Sequence, residues 1–138
     1  MSPHATFRLW GPDLDPIGVT AALHISPSYA HARGQPRGRN PTQTWPHGMW
    51  HLSSEHHIES DDLELHIAWV LDRIEPLASS IEEFRRHDGM HADLFCYWEG
   101  TGNDGIEFSP TLLGRIAALD LQLGIDIAFA ADDEDTEN

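Results

Sequence analysis

Eight apolar residues, Leu63, Ile67, Val70, Leu71, Ile74, Leu77, Ile81 and Phe84, recur at three- and four-residue spacing. That period puts them on one face of an α-helix. A helix with one apolar face needs a second layer to lie against, so a two-layer domain follows. Ser60 or Asp61 serves as N-cap, and Asp61 with Glu64 has capping-box spacing. Pro76 interrupts the run and predicts a kink or a break, because proline lacks the N–H that the helix interior needs. Asp88-Gly89 ends the segment.

The second layer reads as a sheet. Thr6-Phe7-Arg8-Leu9-Trp10 alternates and predicts a strand. Residues 44–53, with Trp45, Met49 and Trp50, predict a second, with His47-Gly48 as a bulge. Residues 90–99 predict a third, with Ala92, Leu94, Cys96 and Trp98 on one face and Asp93, Phe95 and Tyr97 on the other. Residues 124–130 predict the last, with Ile125, Ile127 and Phe129 inward. Gly105-Ile106-Glu107-Phe108 fits a short return strand. Asp15-Pro16 and Ser109-Pro110 both place an N-cap before a proline, where the missing N–H costs nothing. They open helices running to about His24, with Val19, Ala22 and Leu23 inward, and to about Leu121. Residues 28–43 lack periodicity, hold Gly, Pro and Asn, and read as a loop.

The expectation is therefore an α+β domain: a mixed sheet of four to five strands with helices mainly on one face. Ala21-Ala22-Leu23 and Ala117-Ala118-Leu119 follow the two cap-proline pairs. That likeness suggests two β-α half-repeats in a ferredoxin-like arrangement. The 138 residues suffice for one domain, assigned to 1–131, with an acidic disordered tail at 132–138. No signal peptide is expected from the first residues, and no apolar run approaches the ~20 residues of a membrane span. A lone cysteine, Cys96, allows no internal disulfide and suits a reducing, cytoplasmic setting.

Charge narrows the function classes. The net charge is −15, and every basic residue is arginine. Residues 1–40 carry four Arg against Asp13 and Asp15, whereas residues 41–138 carry four Arg against 21 acids. Such a field repels nucleic acid and anionic membrane, and it attracts basic proteins.

Each candidate for chemistry has a plain structural alternative. His47, His51, His56 and His57, with Glu55, have zinc-type donors. On a strand, however, His47 and His51 would lie ~13 Å apart, and no third ligand is evident; no metal or cofactor is expected. Cys96 sits mid-strand and reads as a small buried hydrophobe. The pairs Asp61/Asp62, Glu82/Glu83 and Asp132/Asp133 read as a cap, a solvated helix face and a tail, so no catalytic residue is assigned. Arg33, Arg37 and Arg39, with Gly34 and Gly38, form a loop able to fork onto phosphate or carboxylate. Trp45 and Trp50 follow it and complete the candidate binding set, although core burial of at least one is expected.

Four features in order resemble the bacterial family known as domain of unknown function 4279. They are the Asp15-Pro16 helix leading into Leu23-His24-Ile25-Ser26-Pro27, the glycine-containing loop before Trp50, the His66 to Pro76 helix, and the Ser109-Pro110 helix closing on Ile125-Asp126-Ile127. The resemblance covers residues 5–130 and implies no established activity. It does imply a class, because some members look like parts of toxin–immunity systems. The expected function is thus a non-enzymatic, immunity- or antitoxin-like module that neutralises a basic protein partner. The alternative is an anion-binding or regulatory sensor that uses the Arg33–Arg39 loop.

Overall fold

The protein is described by a computed structural model covering residues 3–129. The expected acidic tail at 132–138 lies outside the described residues. The chain runs β1 (His4–Gly11), α1 (Pro16–Leu23), β2 (Tyr29–His31), β3 (Pro36–Arg37), β4 (Asn40–Thr44) and β5 (Gly48–Ser53). It continues through α2 (Leu63–Ile74), α3 (Ala78–Arg85), β6 (His91–Gly100), α4 (Pro110–Ala118) and β7 (Gln122–Phe129).

Five strands make one mixed sheet in the order β2-β5-β1-β6-β7. β1 is central and antiparallel to both neighbours, β2 is antiparallel to β5, and β6 and β7 are parallel. The parallel pair needs a crossover, which α4 supplies. The ferredoxin-like repeat is not confirmed: α4 returns β7 directly beside β6, whereas α1 returns β2 parallel to β1 but with β5 between them.

The helices pack on one face. Ala5, Phe7 and Leu9 of β1, Trp50 and Leu52 of β5, and Leu94 and Cys96 of β6 point into it and are buried. They meet Leu63, Ile67, Val70, Leu71 and Ile74 of α2. Burying each Leu, Ile, Val or Phe side chain among them is worth roughly 1.5–3 kcal/mol.

The helix signals work as chemistry requires. The Asp15 carboxylate accepts from Ile17 N–H at 3.2 Å, and Ser109 Oγ accepts from Leu112 N–H at 3.1 Å. Asp62, one residue beyond the expected cap, accepts from Glu64 N–H at 3.0 Å. Glu64 closes no capping box; its carboxylate accepts from Ser109 N–H at 2.6 Å and ties the start of α2 to that of α4. Pro76 does break the helix, at a 3₁₀ turn over Glu75–Leu77.

Several expectations need correction. Residues 28–43 are not a loop throughout: they hold β2 and a small β3–β4 hairpin. The expected strand at 44–53 begins only at Gly48, after Trp45-Pro46-His47 breaks the chain. Gly48 is no bulge. A Cβ there would stand 2.2 Å from Leu14 O, so this strand start has room only for glycine. Residues 105–108 form no strand. Ala22 is exposed, and so are Ile127 and Phe129, because β7 is an edge strand that the helices only partly cover.

Candidate functional site

Strand alternation that sends Phe7 and Leu94 into the core sends their neighbours to the opposite face. No helix covers that face among the described residues. It carries His4, Thr6, Arg8 and Trp10 from β1, and His91, Asp93, Phe95, Tyr97 and Glu99 from β6. Met49, His51 and Ser53 add from β5, Tyr29 and His31 from β2, and Gly124 and Asp126 from β7.

At its centre Arg8 and Asp93, paired across β1 and β6, make a side-on ion pair. Arg8 Nε donates to Asp93 Oδ1 at 2.8 Å and Nη2 to Oδ2 at 2.6 Å. The Asp93 side chain is only 9% exposed, so the guanidinium is what makes its burial tolerable. The same guanidinium lies 4.3 Å from the Phe95 ring centroid and 5.3 Å from that of Trp10. Phe95 leans over β7, where a Cβ on Gly124 would come within 2.8 Å of the ring. Trp10 stacks on His91 and Tyr97 on His4, at centroid distances of 5.3 and 5.6 Å. The middle of the face is thus a neutralised Arg–Asp pair among aromatic rings. Carboxylates flank it: Glu55 lies 3.6 Å from His4 Nδ1, Glu99 accepts from the Tyr97 hydroxyl, and Asp126 is the β7 partner of Tyr97.

Of the residues singled out from the sequence, Arg37 and Trp45 come together, whereas Trp50 lies on the other side of the sheet. Trp50 is fully buried on the helix side, its Nε1–H donating to Thr20 Oγ1 at 3.1 Å. Trp45 lies on the open side, stacked on His31 at 4.0 Å, with the Arg37 guanidinium 4.8 Å above its ring. Arg33 faces Asp13 at 3.4 Å, and Arg39 is exposed in the β3–β4 hairpin. The histidines also diverge. His47 neighbours His31, His56 faces Glu55, and His57 stacks on Trp69, whose other contact is Arg73. Among the described residues, no group of three or more His, Cys, Asp or Glu is placed to hold a metal. Cys96 is buried, and its thiol pKa is pushed up to about 12 by burial and, after it, by Asp93. That thiol is the opposite of an activated nucleophile.

One pair that the sequence reading missed looks catalytic but is structural. Ser54 and His66 are both buried, with Ser54 Oγ 2.7 Å from His66 Nδ1. His66 Nε2 faces Ser60 O at 2.9 Å. A carbonyl only accepts, so Nε2 carries the proton, and the Ser54 hydroxyl donates to Nδ1. Ser54 Oγ also accepts from Ala5 N–H, so the pair locks β1 to the start of α2. Only the buried geometry reveals this; Ser54 and His66 stand twelve residues apart with no motif around them.

A family model, domain of unknown function DUF4279, matches residues 2–130. The chain belongs to the DUF4279 family. No curated protein and no solved structure matches it. Membership brings this DUF4279 chain no known activity, so function must be argued from its own surface. No helix of the described residues is long and apolar enough to cross a membrane.

The open face of this DUF4279 domain also predicts a pH response. Burial first, then Arg8 and His31, lower the His51 pKa to about 4, with Asp93 opposing. Its Nε2 has no hydrogen-bond partner among the described residues. Unfolded His51 takes a proton near pH 6.5, whereas folded His51 does so only near 4. Between those values the unfolded state binds more protons, so stability falls as pH drops from about 6.5 towards 4. Melting temperature should be flat above pH 7 and fall below 6.5, and His51→Phe should flatten the pH 5–6.5 part of that fall. An unchanged slope in the variant would assign the loss to other groups.

Proposed function

We propose that this DUF4279 chain is a non-enzymatic binding module, of the immunity or antitoxin kind, which holds a basic protein partner on the open face of its sheet. The observation that carries the proposal is the content of that face. A solvated sheet face ordinarily carries polar side chains in alternation with the core. Here Trp10 and Phe95 flank Arg8, Tyr97 and Tyr29 share the same face, and Trp, Tyr and Arg are the residues that anchor protein interfaces. The Arg–Asp pair holds the centre neutral and rigid, which lowers the entropy cost of docking. Glu55, Glu99 and Asp126 flank the rings and match a basic partner. The net charge of −15 steers such a partner in from a distance. If the partner is an enzyme acting on nucleic acid, the same contact would exclude its substrate.

Affinity capture from the source cells tests this with two baits, the wild type and the double variant Trp10→Ser/Tyr97→Ser. The wild type should retain a basic protein at low salt and release it as salt rises. Each single substitution should weaken the purified complex about 30-fold, as expected when an interface anchor is removed. Retention by both baits alike, or no basic protein at all, would count against the proposal.

A further inference from the structure

The two edges of the sheet are unequal. β2, at one edge, is three residues long, too short to template another strand. β7, at the other, is eight residues long, and none of them is buried. Proteins blunt exposed edges with proline, bulges, lysine or a covering element. β7 has no proline and no basic residue, and its register with β6 runs from Gln122 to Phe129 without a shift. Its single charge is Asp126.

The side chains of β7 divide by face. On the helix side, Ile127 and Phe129 are 48% and 58% exposed, beyond the part of the strand that α4 covers. On the open side stands Asp126, beside Tyr97, whose hydroxyl donates to Glu99. A strand added here would alternate its side chains between these two environments. One set would meet Ile127 and Phe129, and the other would meet Asp126.

We infer that β7 accepts an extended segment of the partner, alternately apolar and basic, as a sixth strand of the sheet. This rests on the basic-partner reading above and names where and how that partner engages. Charge selects the occupant. A second copy would set one Asp126 edge against another, between bodies of net charge −15 each. A basic segment gains from the same field.

The test uses the full chain and a capped heptapeptide of alternating Arg and Val. The control is a peptide of the same composition with its Arg and Val in blocks. Amide shifts and amide hydrogen exchange are followed by NMR. The alternating peptide should slow exchange along Gln122–Phe129 and bind more tightly than the block peptide. Asp126→Asn should weaken it about fivefold, the scale of a cross-strand charge pair. Ile127→Ser/Phe129→Ser should weaken it about tenfold while leaving the melting temperature near that of the wild type. Equal binding of both peptides would overturn the inference, since that is charge attraction alone. Shifts confined to β1 and β6 would overturn it and leave the basic-partner reading standing. No shift with either peptide would count against both. Concentration-dependent pairing of two chains through β7 would give the edge to a second copy and overturn the inference too.

Discussion

Trp50→Ala is expected to cost about 4 kcal/mol, the usual range for emptying a buried tryptophan site. That is a large part of the roughly 5–15 kcal/mol that stabilises a domain. Trp50 is fully buried on β5 and meets Phe7 edge-on at 6.4 Å. It also receives α1 through the hydrogen bond to Thr20. Alanine would leave a cavity where β1, β5 and α1 meet and would strand the Thr20 hydroxyl. Melting temperature should fall by about 15 °C for a domain of this size. Trp50→Phe keeps most of the volume and should cost much less. Denaturant titration of both variants is the check; a loss below about 1 kcal/mol for the alanine variant would contradict the placement of Trp50 in the core.

Arg8→Leu is the second large effect, at about 3 kcal/mol. The Asp93 carboxylate would lose both guanidinium hydrogen bonds while staying buried, and breaking such a pair from one side costs more than the pair is worth. The double variant Arg8→Leu/Asp93→Leu should recover most of the loss, because no charge is then left uncompensated. Arg8→Lys should rescue poorly, since an ammonium cannot make the two-point contact or lie flat over Phe95. A double-mutant cycle measures the coupling directly. A cycle with no coupling would mean that Asp93 does not depend on Arg8.

Much of the fold is legible from local chemistry. Asp15-Pro16 and Ser109-Pro110 fix helix starts because capping and proline act within three residues. The break at Pro76 is local for the same reason. The alternation from Ala92 to Trp98 separates the faces of β6 correctly. What the sequence hides is pairing at a distance. β2 is three residues whose strand state exists only through Met49, Trp50 and His51 of β5, so periodicity cannot reveal it. Arg8 and Asp93 are 85 residues apart and meet only once β1 and β6 pair.

The candidate site was hidden for a related reason. Alternation says that two faces of a strand differ, but not which face a helix will cover. Trp10, Phe95 and Tyr97 therefore carry no mark of exposure in the sequence. Ile127 and Phe129 have the pattern of inward residues and lose their cover only because β7 lies at the edge. The Arg33–Arg39 segment drew attention through composition. In the fold, Arg33 turns to Asp13 and Arg37 to Trp45.

Side-chain footprinting of the chain with its captured partner tests the open-face account most directly. Hydroxyl-radical labelling should fall at Trp10, Tyr97 and Tyr29 when the partner is bound. It should stay unchanged at Ile17, Leu65 and Leu113, which are exposed on the helices. Protection of those helix residues, with Trp10 and Tyr97 still labelled, would contradict it.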